Sequence, residues 1–220
     1  IPIIRPLNQS LTADEITEIT GILNGTTNYI LSKMTDEGSD FDSVLKKAQE
    51  KGYAEKDPTA DVEGIDACRK ISILMSLVTG FKVDSQSVNT VGITKLTTED
   101  VTYAAAVGCT IKLIASGFVK DGKLNASVEP TLVPKNNPLS TVEDVFNGVL
   151  VSGNMVDKLM FYGRGAGKLP TASAVLGDVI EQLKTEGKTD LAQTWQDSED
   201  VSFIADYKEN ECRMYFRISG

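Results

Sequence analysis

Between residues 110 and 133 the chain alternates apolar and polar side chains on either side of Asp121-Gly122, and no other segment restricts the fold as much. A period of two puts successive side chains on opposite faces of a strand. An Asp-Gly pair between two such runs suits the tight turn whose twist matches the strands it joins. Residues 110–119 and 124–133 are therefore expected to form a hairpin, and 148–152 with 155–162 a second one about Gly153-Asn154. Upstream the spacing is helical. Helices are predicted at 28–34 with Thr26 and Thr27 as caps, from Phe41 behind Ser39-Asp40 until Gly52, at 61–79 until Gly80, and from Thr97 or Thr98 through Ala106. Pro170-Thr171 begins another, to about 183. Helices early and strands late predict an α+β fold, an antiparallel or mixed sheet with helices packed on one face.

Shorter signals complete the expectation. Residues 1–4 form an apolar, strand-like opening, and 19–23 a second apolar run that stops at Asn24-Gly25. Residues 141–144 read as a helical turn, 186–200 as a polar linker, and 212–220 as a strand through the alternation of Met214, Phe216 and Ile218. A chain that opens without methionine inside one apolar run and closes inside another is expected to be a fragment of a longer polypeptide.

With 41% hydrophobic and 24% charged residues, the 220-residue chain has an ordinary globular composition. A net charge of -9 argues against nucleic acid or an acidic membrane as partner. There is no membrane-length apolar run and no basic-then-apolar leader. Cys68, Cys109 and Cys212 are odd in number and widely spaced, which fits a reduced, cytoplasmic protein. The absence of histidine removes Ser-His-Asp and Cys-His catalysis and imidazole zinc sites, leaving acid and base work to carboxylates, lysine or tyrosine.

Residues 52–70, GYAEKDPTADVEGIDACRK, place five acids ahead of Lys70. Ile65, Cys68, Ile71, Met75 and Val78 make one apolar stripe, and Asp66 and Lys70 lie off it. Being four apart, with the acid N-terminal, they suit an ion pair on one helix face, with Glu63 one turn further toward the N-terminus. Glu55 and Asp57 sit in the loop before the helix, where Asp57-Pro58 forces an extended step, and are expected to fold back over Asp66. An exposed ion pair with acids that suit the helix dipole, worth ~0.3–1 kcal/mol, is one reading. The other starts from the continuation of that face into Ile73 and Leu77, as in a buried helix, where Asp and Lys need each other or a ligand. One lysine among carboxylates can hold an ammonium, polarise a carbonyl and move a proton.

Gly163-Arg164-Gly165-Ala166-Gly167 separates a predicted strand from a helix start, where bare amides could receive a phosphate or a cofactor amide. The spacing is GxGxG rather than the dinucleotide fingerprint, and a structural turn explains it as well. Gly25 and Thr26 could seat a small carboxylate, or belong to a simple cap.

Four segments, IPIIRPL, GILNGTTNYIL, KGYAEKDPTADVEGIDACRK and FYGRGAGKLPTASAV, together resemble the homoserine dehydrogenase family over most of the chain. The resemblance implies NAD(P)-dependent interconversion of L-aspartate 4-semialdehyde and L-homoserine, on the route to threonine, methionine and isoleucine. It makes Lys70 and Asp66 the catalytic pair at the reacting carbonyl or hydroxyl, and Glu55 the acid that holds the substrate amino group. Asp61 becomes another pocket carboxylate, Gly25 and Thr26 the substrate-contacting turn, Tyr53 a pocket wall, and Gly163, Gly165 and Gly167 the turn beside the NADP or NAD. The nucleotide-binding domain, a second catalytic lysine and much of a metal-binding loop would lie upstream of Ile1, so no metal ligand is assigned here.

The same resemblance divides the chain into 1–162, a substrate-binding, catalytic and dimerisation domain; 163–185, a Gly-rich turn and helix that would pack on the nucleotide-binding domain; and 186–220, a linker and the first strand of an ACT-like regulatory domain. It implies a small amino-acid substrate and a homodimer formed through the sheet. The competing reading is an inactive dimerisation or substrate-binding module of a different two-domain NAD(P) oxidoreductase with the same Asp-Lys device. The GYAEKDP and NGTTNY segments argue against it.

Overall fold

The computed structural model describes residues 1–185, 195–197, 203–209 and 212–218. In chain order its elements are β1 (Ile16–Ile22), α1 (Gly25–Glu37), α2 (Phe41–Glu50), α3 (Thr59–Val62), α4 (Ile65–Thr79), β2 (Asn89–Thr90), α5 (Thr98–Ala106), β3 (Cys109–Lys120), β4 (Lys123–Pro134), β5 (Phe146–Gly153), β6 (Asp157–Arg164) and α6 (Lys168–Thr185). The strands form one sheet in the order β2-β4-β3-β1-β5-β6. It is antiparallel except where the two-residue β2 runs parallel to β4. The predicted α+β class holds, and both hairpins form. Lys120 pairs with Lys123, so Asp121 (φ 52°) and Gly122 (φ 74°) make the two-residue turn with both residues left-handed.

Alternation along each strand sorts the core. Ile19, Ile111, Leu113, Ala115, Val128, Val149 and Val151 belong to the large cluster beneath α1, α4 and α5. On the opposite face Ile22, Ile114 and Val133 meet Leu139 and Val142, which belong to the segment crossing from β4 to β5. Farther along that face the residues are polar: Thr20 donates to Glu18 at 2.8 Å, and Ser127 to Glu129 at 3.0 Å. Helices thus cover one face, as expected from their clustering in sequence. No helix among the described residues is long and apolar enough to cross a membrane.

Five local expectations give way. Residues 1–4 make no strand; the chain turns helically and Pro6–Ser10 form a π turn that buries Leu7. Asn24, not Thr26 or Thr27, caps α1, which runs on to Glu37. The long helix is interrupted: Gly64 is left-handed (φ 78°), α3 ends before it and α4 starts after it, so Glu63 is not on the Asp66 helix. The helical turn lies at Pro138–Thr141, before the predicted position. Residues 212–218 form no strand. An isolated run has nothing to complete its ladder; here the segment is attached through side chains, Tyr215 and Arg217 both donating to Asp100. Of the expected linker, only 195–197 falls among the described residues.

One buried cation sits away from these elements' ends. Lys112 on β3 is 2% exposed and donates to the Val142 carbonyl at 2.6 Å and to Asn28 Oδ1 at 3.3 Å. Asn28 Nδ2 in turn donates to the carbonyls of Val142, Asp144 and Phe146, which wraps the 142–146 segment around the first turns of α1. Burial pushes the Lys112 amine below its ordinary 10.5, against weaker pulls upward from Glu143, Asp36 and Asp144. The folded state therefore binds this proton less tightly than the unfolded chain. Above 10.5 both states leave Lys112 neutral and its contribution is complete; it is lost as pH falls through the lowered folded value. Relative to Lys112→Met, the native chain should gain stability as pH rises toward 10.5, measured by urea unfolding of the two at matched pH values. A pH-independent difference would refute the assignment.

Candidate active site

The end of β1 and the two helices α3 and α4 converge on one side chain. Asn24 leaves β1 in extended conformation, and its Oδ1 caps α1 by accepting from Thr27 N at 2.9 Å. The same side chain donates from Nδ2 to Asp61 Oδ1 at 2.7 Å and to Asp66 Oδ2 at 2.9 Å. Both amide protons are engaged, one on each carboxylate. The kink at Gly64 makes this possible, because it turns α3 and α4 so that acids five residues apart meet at one point.

Lys70 Nζ donates to the same Asp66 oxygen at 2.6 Å and to the Leu23 carbonyl at 3.0 Å. The predicted i,i+4 pair is formed, but it is not buried: the side chains of Lys70 and Asp66 are 49% and 32% exposed. Ile73, which continues that face, is also exposed. The face that looked like buried helix instead borders a cavity of about 230 Å³, with Lys70, Leu23, Leu74, Val149, Asn147 and Gly165 among its walls. An ion pair so open to water adds about 0–1 kcal/mol to stability.

The acidic loop is placed differently from expectation. Asp57 turns onto its own loop, accepting from Thr59 N at 3.1 Å and Thr59 Oγ1 at 2.6 Å, and these bonds hold it below the ordinary carboxylate value. Glu55 is exposed and makes no ion pair or side-chain hydrogen bond among the described residues; its carbonyl is held by Gln49 at 3.0 Å. Among the described residues neither acid makes a hydrogen bond or ion pair within the Asn24, Asp61, Asp66 and Lys70 cluster. Thr26 Oγ1 donates to the Tyr53 carbonyl at 2.7 Å, so this hydroxyl ties α1 to the acidic loop. The Tyr53 ring packs edge-on against Tyr29. Gly25 is the first residue of α1, beside Asn24.

Of the three glycines, Gly163 is inside β6, paired with Asn147. Gly165 lies against the Asn147 side chain, and Gly167 (φ 117°) immediately precedes α6. That helix exposes Leu169, Val175, Leu176, Val179, Ile180 and Leu183, and its ion pair among the described residues is Asp178 with Arg5. Asn24, Asn147 and the Leu23 carbonyl were not singled out from sequence as site groups. Asn24 had a readable signal, since asparagine before a helix outranks threonine as a cap. Asn147 had none, because its partner, the Ile22 carbonyl, is distant in sequence.

Comparison with known proteins shows the family. A family profile described as homoserine dehydrogenase matches residues 2–180. The homoserine dehydrogenase of Synechocystis is 54% identical over 184 residues, 82% of this chain and 42% of that protein. That of Bacillus subtilis is 47% identical, over 84% of this chain and 42% of that protein. Among solved structures, a homoserine dehydrogenase from Thiobacillus denitrificans superposes with a TM-score of 0.82 at 45% identity, covering 85% of this chain and 44% of that one. A hyperthermophilic archaeal homoserine dehydrogenase mutant in complex with NADPH gives 0.69 at 32% identity, over 83% of this chain and 52% of that one. The chain spans less than half the length of the two curated relatives described here. With a family profile matching residues 2–180 of its 220, the chain belongs to the homoserine dehydrogenase family.

Proposed function

We propose that this chain is the catalytic part of a cytoplasmic NAD(P)-dependent homoserine dehydrogenase, interconverting L-homoserine and L-aspartate 4-semialdehyde in the formation of threonine, methionine and isoleucine. The observation that carries the reading is Lys70, held by Asp66 and the Leu23 carbonyl at the edge of an apolar-walled cavity. Three protons on Nζ and two protein acceptors leave one N–H for a substrate oxygen. In the reducing direction Lys70 supplies the proton, or stabilises the developing alkoxide, at the former carbonyl oxygen. Asp66 orients Lys70, Asp61 shares its asparagine, and Glu55 draws the substrate ammonium. A nicotinamide cofactor, when bound, supplies the hydride. The cavity suits such a ring, its walls being mostly apolar and including Gly165; Gly163 and Gly167, on either side of Gly165 in the chain, complete the turn assigned to the cofactor.

In the same reading residues 1–162 bind substrate and dimerise, 163–185 lay the apolar face of α6 on a nucleotide-binding domain, and 186–220 lead into a regulatory domain. The sheet face not covered by helices and the outer edge of β6 suit a second copy of the chain, so light scattering at tens of micromolar is expected to give a dimer, and a monomer alone would count against it. Activity is tested by following NADPH oxidation with L-aspartate 4-semialdehyde. An intact polypeptide carrying this sequence should turn over, whereas the 220-residue chain alone, whose GxGxG turn is not the dinucleotide fingerprint, should stay at the blank rate. An inactive intact polypeptide would favour a substrate-binding module.

A further inference from the structure

Asn147 on β5 is 6% exposed, and its Nδ2 donates to the Ile22 carbonyl at 3.0 Å. A carbonyl only accepts, so this bond fixes the orientation of the amide and leaves Oδ1 at the other end. Oδ1 lies against Gly165, where a β-carbon would come within 2.4 Å of it. Gly165 has no positive φ, so the requirement for glycine there is one of clearance rather than of backbone conformation. Among the described residues nothing donates to Oδ1, although the residue is more than nine-tenths buried and lines the same cavity as Lys70. The oxygen is thus an unpaired acceptor that opens on the cavity, free to take a donor from a ligand seated there.

The surroundings say which donor fits. The cavity walls are largely aliphatic, from Leu23, Ile73, Leu74 and Val149, and Asn147 is uncharged. An ammonium entering there would need an anion, whereas a flat apolar group carrying a neutral N–H is satisfied by a single amide oxygen. We infer that Asn147 Oδ1 accepts a hydrogen bond from the carboxamide N–H of a nicotinamide ring seated in this cavity, and that residue 165 is glycine so that this oxygen keeps its place. The inference rests on the dehydrogenase reading and adds to it a binding residue and the ligand group that it recognises.

The test compares two ligands that differ in that group. Reduced nicotinamide mononucleotide and its 3-acetylpyridine counterpart, in which a methyl replaces the carboxamide NH₂, are titrated into the ¹⁵N-labelled 220-residue chain. The nicotinamide form should shift the Asn147 side-chain amide resonances and bind roughly 3- to 10-fold more tightly than the acetylpyridine form, as one neutral hydrogen bond allows. Asn147→Ala should bind the two within about twofold of each other. So should Gly165→Ala, which displaces the oxygen while retaining Asn147 and serves where the first variant fails to fold. Discrimination that persists in the folded variants overturns the inference, and so does a shift of the Asn147 amide by homoserine in place of the mononucleotide. Mononucleotide shifts around Lys70 that leave Asn147 unmoved, or no shift anywhere in the chain, defeat this inference; the dehydrogenase reading falls only if the intact polypeptide also fails to oxidise NADPH with L-aspartate 4-semialdehyde.

Discussion

Lys70→Ala, made in an intact polypeptide that carries this sequence, is expected to lower kcat by ~100-fold or more while leaving the fold in place. Both halves follow from the geometry. The amine is the cation held at the cavity edge by Asp66 and the Leu23 carbonyl, so its removal takes away charge where an alkoxide develops. The pair is nevertheless half open to water, so thermal or urea unfolding should move by no more than about 1 kcal/mol. Asp66→Asn should follow Lys70→Ala, since it removes the anion that both Lys70 and Asn24 address. Glu55→Gln should act chiefly on KM if this exposed carboxylate draws the substrate ammonium as proposed, since such a contact binds ground state and transition state alike. Steady-state kinetics on the three variants decide the matter: near-normal kcat in Lys70→Ala would reduce Asp66 and Lys70 to a structural pair.

The largest loss of stability is expected from Asn28→Ala, roughly 3 kcal/mol by urea unfolding of the 220-residue chain. Its Nδ2 serves the carbonyls of Val142, Asp144 and Phe146, and its Oδ1 accepts from Lys112. Truncation leaves the Asp144 and Phe146 carbonyls without this donor and the buried Lys112 with the Val142 carbonyl as its remaining partner. Ser32→Ala, which removes the acceptor for Asp144 N alone, is the matched control and should cost about 1 kcal/mol. A loss under about 1 kcal/mol for Asn28→Ala would mean that water replaces the amide in that pocket.

What could be read in advance follows from the range of each interaction. Period-two alternation around Asp121-Gly122 and i,i+4 spacing of Asp66 and Lys70 are local, and both appear as expected. The break at Gly64 was hidden because an apolar stripe runs on either side of it, and periodicity does not register one residue in a left-handed conformation. Residues 1–4 carry strand-like composition without a neighbouring strand to complete it. The site divides in the same way: the acids and lysine were legible as residue types, but the positions of Glu55 and Asp57 depend on Gln49 and Thr59, which only the folded loop brings to bear. Asn147 meets the Ile22 carbonyl across the sheet, at a separation no motif spans.

The place of β1 bears on how the molecule comes to be folded. Its neighbours β3 and β5 lie far ahead in the chain: Thr20 meets Ser116 across 96 residues, and Thr17 meets Ser152 across 135. The β3–β4 and β5–β6 hairpins close locally and can form early, whereas the central strand must wait for both and then bear the entropy of two long loop closures. Folding of this chain should accordingly be slow, with β1 the last strand to be inserted. Leu23 and Asn24, which hold Lys70 and the two aspartates, are the next residues after it. A nascent or partly refolded chain therefore carries its helices and hairpins before it brings Asn24, Asp61, Asp66 and Lys70 together.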